Sequence, residues 1–153
     1  MNNVDKTIVI VLDFGSQYTQ LIARRIREHN VYSEILPHTT SAIQIKKKGC
    51  NALILSGGPS SVYDSSAPSI DTDIFSLEIP ILGICYGVQL MIYYSGGHII
   101  NKGNGEYGAA QIQYIETESL LMQNIVTSEV WMSHGDEIDA LGEEYNTIAK
   151  SSN

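Results

Sequence analysis

The sequence predicts a three-layer α/β/α fold of the flavodoxin type, with a mostly parallel central sheet and a smaller antiparallel sheet in the C-terminal third. Three observations predict it. Up to Gly97, short apolar segments alternate with amphipathic ones. The apolar segments end in turn-forming sequences such as Ser-Gly-Gly-Pro at 56–59. Beyond Gly97, strand-like segments follow one another with few helical stretches between them, which favours antiparallel pairing.

The strands of the parallel sheet are predicted from apolar runs. The first run, residues 7–12, is unbroken and rich in β-branched residues, as in a strand that is buried on both faces. The four predicted strands cover residues 7–12, 33–36, 52–55 and 79–84.

Helices are predicted between these strands, at residues 18–29, 41–48 and 88–94, with one or two helical turns at 70–77. The first helix places four apolar side chains on one face, namely Tyr18, Leu21, Ile22 and Ile26. The second ends in lysines before Gly49, a common residue after a helix C-terminus. The third carries few polar residues and is therefore expected to be buried.

The C-terminal third has predicted strands at residues 109–115, 129–132 and 147–149. The sequence Gly-Asn-Gly-Glu-Tyr-Gly at 103–108 matches the G-x-G-x-x-G dinucleotide fingerprint. That fingerprint needs a helix directly after the loop, because the helix N-terminus holds the pyrophosphate. A predicted strand follows here, so we expect no dinucleotide site.

Length and composition narrow the class of protein. The 153 residues suit one domain, and 43% hydrophobic with 17% charged residues is a globular composition. A formal net charge of −8 argues against nucleic acid or an anionic membrane as a partner. The two cysteines make no disulfide framework and have no zinc-site spacing, so no metal is expected. The absence of a signal peptide or a membrane-spanning run favours the cytoplasm.

Cys85 carries the strongest chemical signal. It lies in Gly-Ile-Cys-Tyr-Gly at 83–87, between a predicted strand and a predicted helix, which is the nucleophile-elbow pattern with sulfur in place of oxygen. Gly83 and Gly87 leave room for the sharp turn. The helix N-terminus favours the thiolate, and the amide of Tyr86 can donate to an oxyanion. The alternative is a buried structural cysteine beside a tight turn.

A second oxyanion donor is predicted at Gly58, at the end of the neighbouring strand. Glycine there lets a backbone amide approach a ligand closely. The alternative is a plain tight turn. Cys50 precedes a strand and has no elbow glycine after it, so we interpret it as structural.

The candidates for a general base that would serve Cys85 are His29, His38, His98 and His134. His134 is attractive because Asp136 follows it in the segment 132–136. A His and an Asp two residues apart in a loop usually point in different directions, so spacing alone leaves the base open.

Four segments together resemble the class I glutamine amidotransferases. They are Leu-Asp-Phe-Gly-Ser-Gln-Tyr at 12–18, Ser-Gly-Gly-Pro at 56–59, Gly-Ile-Cys-Tyr-Gly-Val-Gln at 83–89 and Trp-Met-Ser-His-Gly-Asp at 131–136, in the family's order. The first segment, together with Glu-Tyr-Gly at 106–108, resembles the branch found in GMP synthetases. The resemblance covers essentially the whole chain.

The resemblance implies a role for each site residue. Cys85 corresponds to the nucleophile that attacks the side-chain amide of glutamine. Gly58 and Tyr86 correspond to the oxyanion-hole amides. The groups that hold the α-amino and carboxylate ends of glutamine correspond to Gln89 and to the backbone around Ser133 and His134. His134 thereby becomes a substrate-binding residue and not the base.

The resemblance also implies a larger enzyme. In the family, the triad His and Glu belong to a His-Pro-Glu motif that follows the last segment seen here, and residues 1–153 contain no such motif. We therefore expect residues 1–153 to be an amidotransferase domain that is incomplete at its C-terminus and inactive by itself. The complete enzyme would use no cofactor in this domain. It would pass ammonia to an ATP pyrophosphatase domain, absent from this chain, which uses ATP and Mg²⁺ to aminate XMP to GMP.

Two other functions remain open. A non-catalytic glutamine-binding or regulatory module would bind glutamine without hydrolysing it. A cysteine hydrolase of the same fold could act on a different substrate such as a γ-glutamyl peptide, and the substrate that yields ammonia would distinguish it.

Overall fold

The computed structural model describes residues 7–114, 119–121 and 128–151. The chain divides into two compact units, Met1–Tyr94 and Ser95–Asn153.

The first unit contains a parallel sheet and helices. Its strands are β1 (Ile8–Asp13), β2 (Tyr32–Pro37), β3 (Ala52–Leu55) and β4 (Ile81–Gly83). Its helices are α1 (Thr19–Glu28), α2 (Ala42–Lys47) and α3 (Tyr86–Tyr94), with a 3₁₀ turn at Thr72–Ser76. The four strands pair in the order β2-β1-β3-β4, all parallel. This confirms the predicted parallel α/β part of the fold.

The register of the sheet brings the carboxyl ends of three strands together. Leu12 of β1 pairs with Leu55 of β3, and Leu55 pairs with Gly83 of β4. The loops that follow these strands therefore start side by side. Because parallel α/β sheets bind their ligands at this edge, the fold directs attention to the loops after β1, β3 and β4.

The core of this unit is formed by the strands together with α2, α3 and the 3₁₀ turn. The most deeply buried strand side chains are Ile10, Leu12, Leu53 and Leu55. Tyr86 and Leu90 of α3 belong to the same apolar cluster. The helix is therefore anchored in the core at its first residue, two residues before the predicted start. Tyr93 and Tyr94 at its other end are 42% and 39% exposed, so only part of the helix is buried as predicted.

The buried face of α1 differs from the predicted one. Tyr18 and Leu21, expected on the apolar face, are 64% and 45% exposed, whereas Thr19 and Ala23 are buried. The hydroxyl of Thr19 donates to the carboxylate of Asp13 at 2.8 Å. This hydrogen bond holds the Thr19 face of α1 inward. The periodicity of apolar residues does not reveal it, because Thr19 is polar.

The second unit is an antiparallel sheet. Its strands are β5 (His98–Tyr114), β6 (Glu129–Ala140) and β7 (Ala149–Ser151), in the order β6-β5-β7. The predicted antiparallel character is confirmed, but β5 and β6 are much longer than predicted. Ile115, the last residue of the first predicted strand, lies outside the described residues.

The glycine-rich segment at 103–108 lies inside β5. The pairing of β5 with β6 is irregular between Asn101 and Glu106, and Gly103 and Gly105 have φ of +80° and +46°. Glycine adopts such angles without steric cost, so the extra residues form a bulge and the strand continues. Strand, and not helix, follows the glycines, as the sequence predicts.

Candidate active site

Cys85 lies at the sharp turn between β4 and α3. Its φ is +50°, in the left-handed region that residues other than glycine rarely adopt. The amide of Gly87 donates to the oxygen of Ile84 at 3.0 Å, and the amide of Gln89 donates to the oxygen of Cys85 at 3.1 Å. Cys85 is therefore the residue from which α3 starts. A half-buried cysteine in this backbone conformation has the geometry of a nucleophile elbow.

The two elbow glycines are required by close backbone contacts. A Cβ atom at Gly83 would lie 2.5 Å from the amide nitrogen of Val88, and one at Gly87 would overlap the backbone oxygen of Leu55. Neither glycine position could therefore carry a side chain without movement of the backbone. It is held against β3 by the hydrogen bond from the amide of Ile84 to the oxygen of Leu55, at 3.0 Å.

The loop after β3 lies against this elbow. A Cβ atom at Gly57 would be 3.5 Å from the Cβ atom of Cys85. A Cβ atom at Gly58 would be only 2.7 Å from the backbone oxygen of Phe14 and 3.4 Å from the ring of Tyr86. Only glycine fits at position 58 without movement of the loop after β1. The role of Gly58 as an oxyanion donor stays a prediction.

Ser56 connects the loops after β1 and β3, and sequence reasoning did not single it out. Its side chain is completely buried. Its Oγ accepts a hydrogen bond from the amide of Phe14 at 3.0 Å and donates one to the backbone oxygen of Gly57 at 2.9 Å. A hydroxyl residue between an apolar strand and two glycines is the sequence signal that could have indicated it.

Tyr86, the residue after Cys85, contributes a buried side chain as well as the amide predicted to be an oxyanion donor. Its hydroxyl donates to the backbone oxygen of Pro68 at 2.7 Å. Burial raises the pKa of Tyr86 to about 12, with smaller contributions from Tyr94 and Asp64. Its ring packs against that of Phe14, with 5.6 Å between the ring centroids. These contacts fix the first turn of α3 and so the position of the Tyr86 amide.

Two further residues of this unit were singled out by the sequence. Gln89, predicted to hold glutamine, lies one turn after Cys85 and is buried. Cys50 is half-buried, and its thiol donates to the backbone oxygen of Ala52 at 3.1 Å. Burial raises the pKa of the Cys50 thiol, an effect that hydrogen bonds with Ile10 and Ala52 partly offset. A neutral thiol with a backbone partner is consistent with the structural role assigned to Cys50.

The other predicted substrate residues, Ser133 and His134, lie on β6 in the second unit. Ser133 pairs with Tyr107 and His134 with Glu106 of β5. The Nδ1 atom of His134 donates to the backbone oxygen of Asp136 at 3.0 Å, and its Nε2 atom lies 3.3 Å from Oε2 of Glu106. Both ring nitrogens are therefore engaged inside this sheet. The partner Glu106 was not identified as a site residue from the sequence.

Two of the remaining histidines have structural partners. His38 bonds through Nδ1 to the backbone oxygen of Ser69 at 2.8 Å and stacks on Phe14. His98 is exposed and lies 3.3 Å from the carboxylate of Asp139. His29 is the residue that follows α1.

In the part of the chain that the structure describes, no group of three or more His, Cys, Asp or Glu side chains is placed to hold a metal ion. No helix there is long and apolar enough to cross a membrane.

The fold and the elbow together define a class of enzyme domain. Residues 10–153 match the model of the class-I glutamine amidotransferase family, and the chain belongs to this family. Within the family, the sequence of the chain is similar to those of GMP synthases. It is 51% identical over its whole length to the glutamine-hydrolysing GMP synthase of Latilactobacillus sakei, and 53% identical over 95% of its length to that of Pelodictyon phaeoclathratiforme. The chain spans 29% of the length of each of these relatives.

Solved structures show the same fold. A proposed GMP synthase subunit from Thermoplasma acidophilum matches 96% of this chain, with a TM-score of 0.77 and 26% sequence identity, over 74% of its own chain. A glutamine amidotransferase from Thermotoga maritima matches 96% of this chain and 68% of its own, with a TM-score of 0.72. Its 19% identity carries information about the fold alone.

Proposed function

We propose that this chain is the glutamine-hydrolysing part of a GMP synthase, with Cys85 as its nucleophile. The observation that carries the proposal is the φ of +50° at Cys85, at the junction of β4 and α3. Strained backbone conformations of residues other than glycine cluster at active sites. Asn30 and Glu78 also have a positive φ, but Cys85 is the residue at which a strand passes directly into a helix. The sequence identity of 51% with a GMP synthase supports glutamine, and not a γ-glutamyl peptide, as the substrate.

The first chemical step is attack of the Cys85 thiolate on the carboxamide carbon of glutamine. The N-terminus of α3 favours the thiolate, because the first amides of a helix and its dipole stabilise negative charge. The carbonyl oxygen becomes an oxyanion in the tetrahedral intermediate. The backbone amides of Tyr86 and Gly58 donate hydrogen bonds to it.

The second step breaks the carbon–nitrogen bond. The amide nitrogen accepts a proton from the triad imidazolium and leaves as ammonia, and a thioester with Cys85 remains. Water, deprotonated by the same imidazole, then attacks the thioester carbon. The carbon–sulfur bond breaks, glutamate is released and the thiolate is regenerated.

Glutamine is bound by three residues in this proposal, namely Gln89, Ser133 and His134. For His134, support comes from its hydrogen bond to the backbone oxygen of Asp136, which holds the ring against its own strand. The resemblance to the family assigns the base to another segment, so His134 is proposed to bind substrate. The triad His and Glu are those of the family's His-Pro-Glu motif, which residues 1–153 do not contain.

In the complete enzyme, the ammonia would serve an ATP pyrophosphatase domain that uses ATP and Mg²⁺ to aminate XMP to GMP. The similarity to GMP synthases over 29% of their length supports this larger context. A cytoplasmic location is part of the same proposal.

The test is ammonia release from glutamine. It compares a longer protein that includes the His-Pro-Glu motif with its Cys85→Ala variant, with Cys50→Ala as the matched control, and with residues 1–153 alone. We expect turnover in the longer protein and in Cys50→Ala only. Loss of a triad member costs roughly 10⁴–10⁶ in kcat, so residues 1–153 should be inactive. Equal turnover by residues 1–153 would place the base within them, and full activity of Cys85→Ala would reject the proposal.

A further inference from the structure

We propose that Ser56 is a positioning residue that sets the direction of the Gly58 amide. The inference rests on the proposed function, because it concerns the oxyanion hole of that reaction. It begins from a hydrogen bond between neighbouring residues: the Oγ atom of Ser56 donates to the backbone oxygen of Gly57 at 2.9 Å.

That backbone oxygen belongs to the same peptide unit as the amide of Gly58. A peptide unit is planar, and its C=O and N–H bonds point in opposite directions when it is trans. The hydroxyl that holds the Gly57 oxygen therefore also fixes the orientation of the Gly58 amide. The oxygen of Gly57 is thus held by a completely buried hydroxyl, and the amide of Gly58 points to the opposite side of the peptide unit.

Glycines on both sides of this peptide make the hydrogen bond from Ser56, here called the tether, necessary. Gly57 and Gly58 have no side chains that would restrict rotation of the unit between them, and glycine has access to more backbone conformations than any other residue. Without the hydroxyl, the unit could turn and direct the oxygen of Gly57 toward the site. A carbonyl oxygen there would repel the oxyanion in place of stabilising it.

The tether is itself fixed by the loop after β1. The Oγ atom of Ser56 accepts a hydrogen bond from the amide of Phe14 at 3.0 Å. With this acceptor position filled, the hydroxyl hydrogen is directed to Gly57. The backbone oxygen of Phe14 lies 2.7 Å from where a Cβ atom at Gly58 would be. The loop after β1 thus fixes the hydroxyl of Ser56 and leaves no room for a side chain at position 58.

A matched control exists in the same sheet. Ser33 of β2 is also buried, and its Oγ donates to the backbone oxygen of Ala23 at 2.8 Å. The strand order separates β2 from β4, the strand that leads to Cys85. Ser33→Ala therefore removes the same kind of buried hydrogen bond at a distance from the elbow.

The experiment measures kcat and KM for glutamine, and the midpoint of thermal unfolding, in the longer protein that carries the His-Pro-Glu motif. Ser56→Ala should lower kcat by tenfold or more, up to the roughly 10²–10³-fold cost of losing an oxyanion donor, with KM nearly unchanged. Ser33→Ala should lower the thermal midpoint comparably and leave kcat unchanged. The rate of Cys85 alkylation by iodoacetamide should be the same in both variants, because that reaction forms no oxyanion.

Three results would overturn the inference: an unchanged kcat in Ser56→Ala, an equal loss of kcat in Ser33→Ala, or an effect of Ser56→Ala confined to KM. If Ser56→Ala does not fold, Ser56→Cys takes its place. Its thiol is a weaker donor of similar size, so kcat should still fall, and a parental kcat would overturn the inference. If the unaltered protein releases no ammonia from glutamine, the proposed function fails and this inference fails with it.

Discussion

His134 of β6 and Glu106 of β5 lie directly opposite each other in the antiparallel sheet, with 3.3 Å between Nε2 and Oε2. The carboxylate of Glu106 and the backbone oxygen of Asp136 engage the two ring nitrogens of His134. An imidazole held in this way is suited to keeping the backbone of its strand in place.

Replacement of His134 by alanine is therefore expected to raise KM for glutamine more than it lowers kcat. The backbone at Ser133 and His134 would shift, while the nucleophile and the triad would stay intact. Steady-state kinetics of the longer protein provide the measurement. His98→Ala is the matched control, because His98 also faces a carboxylate, that of Asp139, but is exposed. A collapse of kcat at constant KM would identify His134 as the base.

Labelling should distinguish the two cysteines. With limiting iodoacetamide near neutral pH, Cys85 at the N-terminus of α3 should be alkylated faster than Cys50. Burial raises the pKa of Cys50, so its thiol stays protonated and reacts slowly. Mass mapping of the labelled peptides provides the rates, and the Cys50→Ala and Cys85→Ala variants confirm the assignment. Equal rates, or faster alkylation of Cys50, would contradict the elbow assignment.

Gly58→Val should lower glutaminase kcat in the longer protein by about 10²–10³-fold. The added Cβ atom would lie 2.7 Å from the oxygen of Phe14, so the loop must move and carry the amide with it. Gly49→Ala serves as control: its φ of +68° makes alanine strained, but the added methyl meets nothing within 4 Å. It should reduce stability without reducing kcat. Near-normal kcat in a folded Gly58→Val protein would remove Gly58 from the oxyanion hole.

The Tyr86→Phe variant should separate the effect of the side-chain hydroxyl from that of the backbone amide. The amide remains, so kcat should stay near the parental value. Loss of the hydrogen bond to Pro68 should cost about 1–2 kcal/mol in the free energy of unfolding. A tenfold loss of kcat would show instead that the hydroxyl takes part in the reaction.

The same variant should change how stability depends on pH. The pKa of Tyr86 is raised to about 12, above the value of about 10 for an unfolded tyrosine. The folded state therefore binds more protons between these values. The stability that the raised pKa of Tyr86 contributes to the folded state is fully present below about pH 10 and is lost as the pH rises toward 12. Denaturant unfolding across this range should show a smaller decline for Tyr86→Phe than for the parent.

The bounds of strands and helices were predicted most accurately where local chemistry decides the structure. Strand β3 has the predicted bounds, because an apolar run ends at Ser56 and two glycines that no strand continues through. Helix α3 begins at Tyr86 and not at Val88. Gly87, interpreted as part of the turn, is instead a helical residue whose missing side chain lets α3 approach Leu55.

Long-range contacts account for what the sequence could not predict. Glycines at 103–108 suggested a loop, but pairing with β6 holds this segment inside β5. The opposition of Glu106 and His134 depends on that register, which no local pattern encodes. For Ser56 the local signal was its position between an apolar strand and two glycines, but its hydrogen-bond partner Phe14 lies on the loop after another strand.

The left-handed backbone of Cys85 also bears on how such a chain can evolve. A residue with a side chain in this conformation costs about 1–2 kcal/mol relative to an ordinary backbone angle. Glycine would avoid that cost, so replacement of Cys85 by glycine should abolish the chemistry while preserving or raising the thermal midpoint. Stability alone would therefore favour glycine over cysteine at this position. A glycine at this position in another member of the family would predict a folded domain that lacks the proposed nucleophile.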